Sequence, residues 1–415
     1  MAPPWVLLDR KVNFVDGGFA GGAGKAAPAI GGSSREPSLE EAVAAMEPHP
    51  VVADPPEVTC LSMLRQTPAG HQMQRGGVVS STHKGLVVLY TGMYGPGKGG
   101  YSPAGCYLFY DASSDSLSAV PQLDPPTAGR PVPALPTIKC LGNSAAILRH
   151  GGEEEGAYVL AELVTTFHPG LPDAELYLWR RSSPAATSDS DGGASSAPSR
   201  AVRAHGSRVC WVDLLAGVLI CDLFTPQGPE FSFVPLPQGR SLHTPDNVRL
   251  GLKTQEFRSM GCVRGAIKFV ALIGYTATSL SKSSNVVLET WTLPLDSREW
   301  KKGPAVRVGD LWASESFSEM ELPRVRPMFP VLSMDEDEIV YVFLNDIEFV
   351  DTADCFGQIT GRQLVLNGHY AVGLDLAQIK VLYSKGSATN NLASLAPTLL
   401  ASDFSAYLHG SKDRV

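Results

Sequence analysis

A chain of 415 residues with 44% apolar and 18% charged residues has the composition of a globular protein able to bury a core, as one large domain or two smaller ones. Its 41 glycines and 32 prolines favour turns over long helices, which points to an all-β fold. The formal net charge of −8 leaves no positive field to draw in nucleic acid or an anionic membrane, so neither is expected as a partner.

Seven cysteines, at 60, 106, 140, 210, 221, 262 and 355, form no CxxC pair and are odd in number. Most sit in apolar runs, where a thiol behaves as a small hydrophobe, and this usage reads as a reducing compartment. The first apolar run, Trp5 to Leu8, is too short for a signal peptide. No run approaches the ~20 apolar residues of a membrane-spanning helix. A cytoplasmic or nuclear address is therefore expected.

From the N-terminus, Trp5 to Phe14 reads as an edge or closing strand (residues 1–15). Residues 16–37 read as a flexible Gly/Ala-rich insert. Ser38-Leu39-Glu40-Glu41 makes a capping box in front of a short helix that Pro48 should stop. Past Pro56 apolar runs of strand length alternate with turn signals. Several begin directly after an x-Gly pair: Lys84-Gly85, Ala216-Gly217, Arg264-Gly265 and Asn367-Gly368, with Gly156 a weaker case. Glycine at such a point suits a tight hairpin. Outer strands follow at Cys106 to Asp111, Glu175 to Trp179, Glu230 to Val234, Val286 to Leu293 and Gln378 to Tyr383. Basic pairs such as Arg180-Arg181 and Lys301-Lys302 adjoin strand-like runs.

This spacing predicts an irregular, propeller-like array of about five or six antiparallel blades, with short helices confined to insertions. The array spans residues 38–409, is interrupted by a disordered loop at 182–202, and ends in a tail at 410–415. A large β-sandwich or two β domains are the alternatives.

Motifs that suggest chemistry have plainer readings. Gly92 to Lys98 has P-loop spacing, but Gly99 replaces the magnesium-binding hydroxyl and no helix start follows, so no nucleotide is expected there. Gly22 to Ala27 resembles a dinucleotide fingerprint without a βαβ unit around it. Thr187 to Gly192 opens like a calcium loop, but its twelfth position is Pro198. Asp335 to Glu338 reads as a solvated hairpin turn. Gly142 to Ala146 lacks the final glycine of a nucleophile elbow. No catalytic, cofactor-binding or metal-binding residue is assigned, and no cofactor is expected.

The residues singled out as a structural signature are Trp211, Asp213, Gly217, Asp222 and Gly265. Val209 to Asp222 reads as a hairpin buried on two faces, with Trp211 its largest buried side chain. Asp213 is expected to accept turn N–H groups from Leu215 or Ala216. Gly217 is expected where a side chain would clash. On that reading Trp211→Ala costs roughly 3–5 kcal/mol.

Several segments resemble, in order, the plant family called domain of unknown function sixteen-eighteen. They are Pro4 to Asp9, Asp54 to Val58, Cys210 to Asp222 continuing to Phe233 to Pro237, Gly265 to Val270, Thr290-Trp291, and Phe404 to Leu408. The resemblance covers nearly the whole chain apart from 16–37 and 182–202. It implies a plant protein with a β-rich, propeller-like body and no established activity. Some relatives are associated with F-box proteins, but the leucine-rich helical stretch of an F-box is not visible here. The expected function is a non-catalytic interaction module presenting loops from a rigid β body to a protein or peptide partner. The alternative is an enzyme or small-ligand protein with a site in a central channel.

Overall fold

The computed structural model describes residues 2–16, 38–65, 76–91, 106–121, 145–149, 157–168, 171–181, 208–242, 253–275, 284–353, 358–387 and 395–408. It is mostly β, in five sheets. The first joins β1 (Val6–Asp9), β2 (Lys11–Asp16), β3 (Met46–Val51), β4 (Val58–Arg65), β5 (Gly76–His83), β6 (Leu86–Thr91), β7 (Cys106–Asp111), β8 (Ser116–Pro121) and β23 (Leu399–Ser402). The second is β9 (Ala145–Arg149), β10 (Tyr158–His168) and β11 (Leu171–Arg181), and the third β12 (Arg208–Asp213), β13 (Gly217–Asp222) and β14 (Glu230–Pro235). The fourth holds β15 (Arg258–Val263), β16 (Ala266–Ile273), β17 (Val287–Pro294) and β18 (Lys301–Arg307). The fifth holds β19 (Pro327–Leu332), β20 (Ile339–Ala353), β21 (Ile359–Asp375) and β22 (Lys380–Ser387).

Central strands are apolar at consecutive positions because both of their faces are covered. In β6, Val87 and Leu89 point to the N-terminal strands, whereas Leu86, Val88 and Tyr90 point to β9 and β10. In β16, Val270 and Leu272 pack on the fifth sheet, while Ile267, Phe269 and Ala271 pack on the third. In β20, Val340 and Val342 face the fourth sheet, and Ile339 and Tyr341 meet Trp5 and Leu7 beside β1. The second and third sheets share Leu148, Val159, Val209 and Cys221. Each sheet thus shares a core with the next, and the last shares one with the first. The first sheet is folded on itself: Val6, Leu8, Val12 and Met63 of its N-terminal half pack on Val87, Leu108 and Tyr110 of the other half. The N- and C-terminal strands pair antiparallel, Val6 opposite Ser402 through Asp9 opposite Leu399.

Two of the glycine-marked turns have the primed geometry that matches strand twist. Lys84-Gly85 (φ 47° and 83°) joins β5 to β6, and Arg264-Gly265 (φ 49° and 76°) joins β15 to β16. Gly368 departs from expectation. It lies inside β21 opposite Asp346, and Asn367 is the extra residue of a bulge, because the strand runs on past the pair instead of turning there. Pro48 does not stop the first helix, α1 (Leu39–Ala44), which has already ended at Ala45. Pro48 and Pro50 sit in β3, an edge strand with β4 as its one partner, where a missing N–H is tolerated.

The Val209–Asp222 hairpin is also less buried than expected. β13 is a middle strand and is largely covered, but β12 is an edge strand whose Val212 is 44% exposed and whose Trp211 is half-buried. Trp211 stacks on Phe231 with centroids 6.3 Å apart. Gly217 is needed for close approach and not for positive φ: a Cβ there would meet Val234 O and lie 2.9 Å from Pro235 Cα. We therefore expect Trp211→Ala to cost about 1–2 kcal/mol, below the range for fully buried aromatics. Gly217→Val should cost about 2–3 kcal/mol through overpacking. Urea denaturation of the two variants checks this order, and a costlier Trp211→Ala would contradict it.

Two short helices, α2 (Val308–Ala313) and α3 (Glu315–Glu319), connect β18 to β19 and bury Leu311, Trp312 and Phe317 between the fourth and fifth sheets.

Candidate functional site

The most developed concavity among the described residues lies where α1 and two sheet edges meet. α1 is held by a capping box: Ser38 N–H donates to the Glu41 carboxylate at 2.7 Å, and Glu41 N–H donates to Ser38 Oγ at 3.2 Å. Its Val43 packs with Leu117 and Ala119 of β8. β8 ends the first sheet and β11 ends the second, so among the described residues each carries an edge with no strand partner. Between them runs a groove of about 580 Å³ bordered by Glu40, Val43, Leu117 to Val120, Tyr158, Trp179, Arg180 and Arg181. A second hollow of about 470 Å³ shares Val43, Ala44 and Leu117 and adds Met46, Glu47, Pro48 and Asp115.

One wall of the groove is aromatic. Trp179 lies 5.7 Å from Tyr158 and 5.8 Å from Phe109, ring centre to ring centre. Tyr158 is 4% exposed. Its hydroxyl is near enough to Arg181 and Ser118 to feel them, yet makes no hydrogen bond of good geometry, and burial raises its pKa. A buried phenol needs a well-aligned partner to offset its desolvation.

The end of β11 that borders the groove is basic, with Arg181 on the Trp179 face of the strand and Arg180 on the opposite face. Arg181 donates to Ser118 Oγ at 2.9 Å. Among the described residues the Arg180 guanidinium has no ion-pair or hydrogen-bond partner, and burial lowers its pKa. Nearby acids are engaged elsewhere: Asp111 pairs with Arg149 at 2.8 Å, and Asp115 accepts from Tyr110 Oη at 3.2 Å. Among the described residues neither Arg180 nor Arg181 forms an ion pair with a carboxylate, and Glu40 stands across the groove.

Other polar clusters serve the body itself. Glu289, largely buried on β17, accepts from Arg240 at 2.7 Å and from Lys302 at 3.4 Å. Buried Arg258, near Arg240, has its pKa lowered to about 10, first by burial and then by that second guanidinium. His369 Nδ1 lies 2.6 Å from Asn345 Oδ1, and Asn345 Nδ2 donates to Leu395 O at 3.0 Å. This fixes the imidazole tautomer as Nδ1–H and ties β21 through β20 to the C-terminal segment. His83 Nδ1 accepts the Arg149 backbone N–H at 2.9 Å, joining β9 to β5, and burial with the charges of Lys84 and Arg149 lowers its pKa to about 4. Among the described residues no group of three or more His, Cys, Asp or Glu side chains is placed to hold a metal ion.

The signature residues are scattered along one hairpin and one turn, away from the groove. Asp213 Oδ1 accepts the Leu215 N–H at 2.8 Å, and Asp222 Oδ1 accepts the Phe224 N–H at 3.2 Å. Asp213 faces Gly217 and Asp222 faces Arg208, so the two carboxylates stand at opposite ends of the hairpin. Gly265 lies in the turn already described, beside Arg264, which is 3.7 Å from Asp337. The exposed acidic run Asp335 to Asp337 bridges to the fourth sheet, with Lys268 Nζ 3.1 Å from Asp337. The P-loop-like segment 92–99, the fingerprint at 22–27, the calcium-loop start at 187–192 and the insert at 182–202 lie outside the described residues, as does most of 142–146.

Sequence reading named the parts of the groove without joining them. The capping box, the Glu175 to Trp179 strand and the Arg180-Arg181 pair were each visible. The α1 and β11 residues that border one groove lie well over a hundred positions apart in the chain, and no local pattern brings them together.

A search of curated proteins finds no match to this chain. Residues 211–341, from Trp211 in β12 to Tyr341 in β20, match a family model described as Protein of unknown function (DUF1618).

Proposed function

We propose that this chain is a non-catalytic protein-interaction module, cytoplasmic or nuclear, in which a propeller-like ring of β-sheets holds out binding surfaces for a protein partner. The ring reading is supported by the succession of shared cores and by closure through the paired terminal strands. Counting the folded first sheet as two layers makes six blades.

The observation that carries the functional reading is the β20–β21 ribbon. Past Leu344, β20 has left β19, and before His369, β21 has not yet reached β22, so from Asn345 and Gly368 outward the two strands, among the described residues, pair only with each other. Phe349 is 49% exposed, Val350 44% and Ile359 64%. Adjacent Phe349 and Val350 point to opposite faces, so both faces of the ribbon offer apolar surface. A two-stranded ribbon gains little stability from its own pairing, and exposed apolar surface on it serves contact with another molecule better than folding.

The test is affinity capture from cell extract with the full chain and with the double variant Phe349→Ser, Ile359→Ser. Proteins retained by the wild type should be lost from the variant, while the thermal midpoint moves by no more than a few degrees. An unchanged set of captured proteins would overturn the reading.

A further inference from the structure

We propose that the groove between α1, β8 and β11 receives an extended peptide segment that pairs with the free edge of β8 and places an acidic side chain on Arg180 and Arg181. The inference rests on the interaction-module reading but concerns a different surface from the ribbon.

Three observations converge on it. First, the consecutive residues Leu117, Ser118, Ala119 and Val120 all border the groove. Side chains of a strand alternate between faces. Four in a row can line one hollow only if it runs along the strand's edge, where among the described residues β8 has no partner opposite β7. Such an edge is the template for strand addition, in which main-chain hydrogen bonds give affinity and flanking pockets give specificity. At about 3.3 Å per residue, an edge of this length pairs with a segment of about six residues.

Second, the flanks suit alternating side chains. On one side α1 offers Val43; on the other stand Tyr158 and Trp179. The buried Tyr158 hydroxyl makes no well-aligned hydrogen bond among the described residues although Arg181 and Ser118 lie near it, and a buried phenol of this kind normally has one. A carbonyl or carboxylate of the incoming segment would satisfy it.

Third, the charge is one-sided. Among the described residues Arg180 has no partner, Arg181 donates to a serine, and neither meets a carboxylate. A guanidinium held partly out of water gains most from a bidentate carboxylate, which selects an acidic residue over a neutral one. Glu40 at the α1 side disfavours a second acidic group there, and so sets the direction of the charge pattern along the segment.

The experiment is selection of a random octapeptide display library on the immobilised full chain. Recovered peptides should be enriched in Asp or Glu next to apolar positions. A representative synthetic peptide should bind at least tenfold more weakly to the Arg180→Gln, Arg181→Gln variant. N-methylation of its alternate amides, which removes edge-pairing donors, should weaken it as much. The ribbon variant Phe349→Ser, Ile359→Ser should bind it normally, which separates this result from failure of the ribbon reading. Failure to enrich acidic peptides, or binding that survives loss of both arginines in a variant with an unchanged thermal midpoint, would overturn the proposal.

Discussion

Replacing Glu289 by alanine is expected to lower the unfolding free energy by about 3–5 kcal/mol, the range for removing one partner of a buried ion pair. Glu289 accepts from Arg240 and lies within reach of Lys302. Arg258, buried and bonded to Leu214 O at 2.9 Å, adds a third cation close by. The guanidinium of Arg240 lies 5.3 Å from the Trp291 ring centre, and that of Arg258 lies 5.8 Å from Phe269 and 5.4 Å from Phe257. Phe269 and Trp291 stack 5.3 Å apart, so rings and cations form one ladder between the third and fourth sheets. The rings soften the positive charge but do not neutralise it. Without Glu289 the ladder keeps its cations and loses their carboxylate. Lys302 is more than half exposed and contributes little by itself, so most of the loss falls on Arg240. Glu289→Gln should cost less, because an amide oxygen can still accept from Arg240. Urea denaturation of both variants tests the account; an alanine variant within 1 kcal/mol of wild type, on the order of a surface substitution, would show the cluster to be unimportant.

Truncation after Ala396 is expected to abolish cooperative unfolding. The cut removes β23 and with it the antiparallel ladder to β1. It also removes the hydrogen bond from Arg10 N–H to Thr398 O at 2.7 Å. Phe404, fully buried among Val6, Leu8 and Leu89, goes too, as do Leu399 and Ala401 from the core around Trp5 and Tyr341. Loss of one buried aromatic costs about 3–5 kcal/mol, and a domain has only about 5–15 kcal/mol to lose. The truncated chain should show no sharp thermal transition by circular dichroism. A synthetic peptide covering residues 397–408, supplied in excess, should restore part of it by mass action. A truncated chain that melts cooperatively within a few degrees of the full one would mean that the terminal strands do not close the body.

What the sequence determined by itself was local. Two-sided apolar runs announce buried central strands, as at Leu86 to Tyr90 and Ile339 to Leu344, because a strand covered on both faces has no polar side to display. Lys84-Gly85 and Arg264-Gly265 mark their turns because primed geometry selects residues that accept positive φ. Ser38 and Glu41 announce a helix start through the reciprocal bonds they can form. The readings that failed depended on neighbours. Asn367-Gly368 has turn chemistry, yet the pairing of β20 with β21 carries the chain straight through it. Trp211 sits in an apolar run, yet its strand has a partner on one side only, so the ring stays half-exposed. Tertiary structure alone decided which sheet follows which, that the two termini share a ladder, and that Arg180, Trp179 and the edge of β8 face α1. Those contacts join residues far apart in the chain, and burial between sheets depends on shape and total apolar area rather than on any local spacing.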